Sequence, residues 1–224
     1  MAFVAADCPE QDPPAGVGPK IRVPGVLTPV DRRPHLRGDI SVRGTAPAGN
    51  LEAGALVLNG LLIEGNLTVL VGNLGSLELT HSTLVPPGRV TVNTSVQAGR
   101  RNEHLTLTLF RAITGPVDIA STARALKVKE CIIDAGGAQA VAAPAVSVEA
   151  STILGLTRVR SLEASNSIFT SRVNAERRQV GCVRFSYLPI DSLAPRRFHC
   201  QPATALDADR VSPQFTSTTY GHPG

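Results

Sequence analysis

The chain has no Trp, one Met and only 4% aromatic residues among its 224. Rings are too scarce to fill its interior, so the core has to be built from Val, Leu, Ile and Ala. Charged residues make up 18%, below the usual quarter. That leaves little material for the polar faces of many amphipathic helices. No apolar run approaches the ~20 residues of a membrane-spanning helix, which speaks against a membrane partner. The opening MAFVAADCPEQDPP lacks a basic segment followed by an apolar one. No signal peptide is read from it, and the expected location is the cytoplasm, or delivery as part of an assembly. Four Cys occur without a CxxC or a Cys/His spacing, which excludes a zinc ribbon or a disulfide scaffold. No metal or cofactor is expected. Cys182 and Cys200 are near enough in sequence to form one bridge, but reduced thiols are the favoured reading.

What is present points one way. Apolar residues at 42% exclude disorder for most of the chain, and 20 Gly with 17 Pro supply many turns. This composition predicts many short strands and few helices. The net charge of +4 owes much to the pairs Arg32-Arg33, Arg100-Arg101, Arg177-Arg178 and Arg196-Arg197. No interleaved aromatics or recognition helix accompany them, so solvated charge is favoured over nucleic-acid binding.

Residues 1–50 are rich in Pro, Gly and Arg (DPPAGVGP, RVPGVLTP, RRPHLRGD) and read as an extended arm or N-terminal cap. Residues 51–175 carry a repeat: apolar, any, apolar, any, any, small, then a pair with at least one apolar residue. Copies start at Leu56, Leu77, Leu107, Leu126, Val146 and Leu162, spaced by 21, 30, 19, 20 and 16 residues. The small position holds Ser82, Ala112, Cys131, Ser151 and Ser167, with Leu61 as the exception. Strands of three to five residues are too short to stand alone, but each is stabilised by pairing with its equivalent one coil away, ~4.8 Å along an axis. The apolar period of two excludes helical solenoids, and the uneven spacing excludes a strict hexapeptide repeat. The 30-residue gap places an insertion near 93–103. The expectation is an all-β, right-handed, single-stranded parallel β-helix, a solenoid of about six or more rungs, with a β-sandwich as the alternative. Residues 176–224 are expected to form a C-terminal cap and extended tail that shields the open strand edge.

The rungs LKVKECIID, VSVEASTIL and LEASNSIFT resemble those of pectate-lyase-like parallel β-helix proteins. The stretches LNGLLIEGNLTV, LELTHSTLVPPG and RRQVGCVRFSYLP look like an uncharacterised bacterial family associated with phage-tail-like contractile assemblies. That resemblance implies a structural protein or recognition module, a glycan or protein partner, and a chain that continues beyond residue 224. It brings no catalytic residues with it.

A polysaccharide lyase or hydrolase would need acids and bases at equivalent outward positions of adjacent rungs. The nearest approach is His81, Arg111 and Glu130 in the column just before the bend, with Glu130 as base, Arg111 steadying an anion and His81 as acid. The competing reading is an outward ladder of complementary charges. It is favoured, and an enzyme is the lesser expectation. The tripeptide Arg37-Gly38-Asp39 reads as coincidence, and Gly136-Gly137 as a turn.

Overall fold

The computed structural model describes residues 1–4, 10–13, 18–22, 34–47, 50, 53–97 and 99–222. The described chain contains no helix. Its strands wind into a parallel β-helix with three faces, and all but a two-stranded antiparallel pair (Glu10–Gln11 with Ile21–Arg22) join one sheet.

Face A begins with Ala55–Asn59, Ser76–Thr80, Thr106–Phe110 and Ala125–Lys129, stacked in parallel register. Two long strands, Ile132–Glu149 and Thr152–Ser165, then run through faces B and C and end on face A of the next coil. The alternation that marks each repeat sends one residue in two to the interior. Leu56, Leu77, Leu107, Leu126, Val146 and Leu162 form one inward column. Leu58, Leu79, Leu109, Val128, Val148, Ala164 and Val183 form the next. These residues are buried, as are Ile133, Ile153 and Phe169 on face B and Leu67, Val90 and Val117 on face C. Each buried aliphatic chain contributes about 1.5–3 kcal/mol, and the stack needs no aromatic beyond Phe169.

The small position of the repeat has a second role besides saving space. Ser151 Oγ donates to its own coil's Glu149 carbonyl at 2.7 Å and accepts the Cys131 amide at 3.0 Å. Ser167 and Ser186 repeat the pattern, each accepting the amide of its predecessor at 3.2 and 3.1 Å. Ser82 serves Leu61, and the Cys131 thiol serves Ala112. An internal ladder of short polar side chains thus satisfies buried amides at the bend.

The corner between faces B and C is a column of glycines. A Cβ on Gly65, Gly88 or Gly115 would sit on the carbonyl oxygen of Gly38, Gly65 or Gly88, respectively, one coil away. Only Gly permits that approach.

The coil extends beyond the expected repeat at both ends. Ala2–Val4, His35–Arg37 and Ile40–Val42 pair with the first full coil on faces A, B and C, so these three segments of the arm are built into the solenoid. Cys182–Arg184 and Arg196–Phe198 continue face A past residue 175. Val183, Phe185 and Tyr187 therefore belong to a strand, a bend and face B, and do not share one strand. Of the two states open to Cys182 and Cys200, the structure has the reduced one. Cys182 stands opposite Arg196, four residues short of Cys200, and both are free thiols. The Cys200 thiol instead donates inward to the Val183 carbonyl at 3.2 Å.

Candidate functional site

Each full coil leaves face A through one residue with a left-handed backbone. Gly60, His81, Arg111, Glu130, Ala150, Asn166, Phe185 and His199 all have φ between 48° and 77°. The column holding His81, Arg111 and Glu130 is therefore a column of turn residues. Their amides bond to the next coil, Arg111 to Lys129 O and Glu130 to Glu149 O, each at 3.0 Å. Their side chains point away from the axis.

The structure brings Arg111 and Glu130 together, with Nε to Oε2 at 2.6 Å. The Arg111 guanidinium also lies over the Phe110 ring, 4.9 Å from its centroid. His81 packs on the same ring at 5.6 Å. Its Nδ1 is buried without a hydrogen-bond partner among the described residues, whereas a catalytic imidazole is oriented through its second nitrogen. The Arg111 hydrogen bond holds the Glu130 carboxyl below the usual carboxylate range, aided by the charges of Arg111, Lys129 and His81 against a weaker effect of burial. A general base working near neutral pH needs the opposite shift. Neighbouring pairs, Lys129–Glu149 at 3.0 Å and Arg184–Glu163 at 3.3 Å, extend the alternation of sign along the corner.

Cys131, in the adjacent small position, is pushed up in pKa mainly by burial, the environment of an inert structural thiol. The Asp39 carboxylate of the Arg37-Gly38-Asp39 tripeptide accepts from the Asn66 amide at 2.7 Å and so ties two coils together. Arg32 and Arg33 lie outside the described residues. No group of three His, Cys, Asp or Glu among the described residues is placed to hold a metal.

A second place, unmarked in the sequence reading, lies on face B. The C-terminal segment 211–222 crosses this face and leaves two hollows beneath it. One of about 340 Å³ is bordered by Asp134, Leu154, Tyr187 and Phe215. The other, of about 240 Å³, is bordered by Ile113, Ile132, Phe215 and Tyr220. Phe215 borders both. The signal available in the sequence was the presence of two aromatics in the tail of a chain so poor in them.

The chain is thus a single-chain parallel β-helix with a charge ladder on one corner and a tail-covered groove on one face. No family model, curated protein or solved structure matches it.

Proposed function

We propose that this protein is a non-enzymatic structural or recognition module that binds a glycan or a protein along its stacked faces. The observation carrying this reading is the Arg111–Glu130 contact of 2.6 Å. It commits the best candidate base to an ion pair at a turn position whose other occupants, Gly60, Ala150 and Phe185 among them, share no chemistry. Flat faces built from equivalent outward positions present long, regular surfaces of the kind solenoids use for recognition. The likeness of its rungs to pectate-lyase-like proteins, and of its longer stretches to proteins near contractile assemblies, supports a place in or beside a phage-tail-like assembly.

The test is a glycan-binding screen run beside depolymerisation assays on the same polysaccharides. Binding without cleavage is expected. Cleavage abolished by Glu130→Gln would replace this reading with a polysaccharide lyase or hydrolase acting through His81, Arg111 and Glu130.

A further inference from the structure

We propose that the two hollows beneath segment 211–222 form one site for an organic ammonium cation, a tertiary or quaternary amine, held by Tyr187, Phe215, Tyr220 and the carboxylate of Asp134. This site is independent of the stacked-face reading, and either can fail without the other.

Rings are scarce in this chain, two Tyr and six Phe. Tyr187 borders one hollow, Tyr220 the other, and Phe215 both, so both tyrosines meet at one place. They arrive from two sides. Tyr187 stands on face B, bridged to Ile168 and Gln201, whereas Phe215 and Tyr220 belong to the segment that crosses it. Phe215 and Tyr220 keep 39% and 42% of their surface exposed, so ring surface is left for a ligand. Among the described residues, none of the three rings packs on another ring, and no Arg or Lys lies over them.

Asp134 borders both hollows and is the one charged residue among the described residues that borders either. It is half-buried, and its register partner one coil on is Leu154. One of its oxygens accepts the Gly136 amide at 2.9 Å and closes a tight turn. No Lys, Arg or His among the described residues lies within ion-pair distance of it. Unpaired acids such as Glu78 and Asp118 are exposed and served by water. Asp134 instead stands beside apolar side chains without a cation.

These features select one chemistry. The face of an aromatic ring attracts a cation, most strongly when the cation has left water. A tertiary or quaternary ammonium spreads its charge over carbon groups and leaves water more readily than a small hydrated ion. Ile113, Ile132 and Leu154 offer its methyl groups an apolar floor, and Asp134 supplies the opposite charge. An anion would meet Asp134 with no cation to offset it. A neutral apolar ligand would strip water from the carboxylate and return nothing. The larger hollow, about 340 Å³, lies within the ~300–1,000 Å³ of small-molecule sites.

The experiment titrates the protein with tetramethylammonium, choline, potassium and dimethylbutanol, the neutral carbon analogue of choline. The chain has no Trp, and both of its tyrosines border the site. Tyrosine fluorescence therefore reads the site directly, with equilibrium dialysis as the second measurement. Tetramethylammonium and choline should bind, and dimethylbutanol and potassium should bind at least about tenfold more weakly. Asp134→Asn keeps an oxygen for the Gly136 amide, and Phe215→Leu keeps apolar bulk under the segment. Each should weaken choline binding by about tenfold, with an unchanged circular dichroism spectrum. Sedimentation with phosphatidylcholine vesicles separates two sources of the same cation. Vesicle binding that free choline competes away would support the site with a lipid headgroup as its ligand, and choline binding without vesicle binding would support it with a free amine. Equal affinity for dimethylbutanol would overturn the ligand class. Undiminished choline binding by both variants would overturn the site, and no response to either ammonium ion, free or on vesicles, would overturn the whole.

Discussion

The hydroxyl of Ser151 accepts the amide of Cys131, one coil earlier, at 3.0 Å. A buried backbone donor is satisfied by the side chain of the following coil, and the relation repeats from Ser151 through Ser167 to Ser186. Ser151→Ala leaves the Cys131 amide buried without an acceptor and should cost about 1–3 kcal/mol. Ser151→Cys should cost less, because the Cys131 thiol already accepts the Ala112 amide in this way. Ala112 interrupts the ladder between Ser82 and Cys131, and Ala112→Ser should stabilise by about 1 kcal/mol. Urea unfolding midpoints would decide all three, and a neutral Ser151→Ala would dismiss the ladder as a contributor.

Ala150 holds a left-handed backbone at φ 48°. A Cβ in that conformation costs about 1–2 kcal/mol relative to glycine. Ala150→Gly should therefore raise the melting temperature, and Ala150→Val should lower it. If both substitutions lower it, the side chain, and not the backbone, governs this position.

The carboxyl of Glu130 titrates below its ordinary range because Arg111 bonds its ionised form. Its contribution to stability is present above the unfolded-state pKa and is lost as pH falls through the depressed folded value. Wild type and Glu130→Gln should differ at neutral pH and converge in acid. Arg111→Ala should return the Glu130 titration, followed by NMR, toward the ordinary carboxylate value. An unmoved titration would show that the ion pair is not the cause.

The backbone hydrogen bonds of segment 211–222 are local, such as Val211 to Asp207 O at 2.9 Å and His222 to Thr219 O at 3.2 Å. Its hold on face B depends on side chains, Phe215 above all. Ending the chain at Arg210 should leave the circular dichroism spectrum intact and expose the surface around Ile113, Ile132 and Leu154. Increased binding of a hydrophobic dye with an unchanged fold is expected. Loss of the fold would mean that the tail is part of the core.

Gly88 admits no Cβ because the Gly65 carbonyl occupies that space. Gly88→Ala should destabilise by about 3 kcal/mol or more, a loss large enough to read as reduced soluble yield and an early thermal transition.

The coils most easily recognised in the sequence were those with two inward aliphatics on face A. The starts at Leu56, Leu77, Leu107, Leu126, Val146 and Leu162 are the register partners of the folded chain. The later coils escaped because their face A strands have three residues and less to show. Val183 is their one fully buried aliphatic there, and its register partner is Arg197. That arginine reaches the Pro189, Ile190 and Ser192 carbonyls, which no apolar pattern reveals. The small position was visible as a tight bend, but its hydrogen bonds were not, since donor and acceptor lie 16 to 21 residues apart. His81, Arg111 and Glu130 were recognisable as one column, whereas their shared left-handed backbone was not.

Alternating Leu and Val at recurring intervals determined that this chain winds into stacked short strands, because period-two burial and coil-to-coil pairing are local rules repeated along the polymer. Which outward charges meet an opposite charge and which remain uncompensated was decided only in three dimensions. Insertions of unequal length set the stacking of each corner, and neighbours there are a whole coil apart in sequence. Arg111 found Glu130 across that distance.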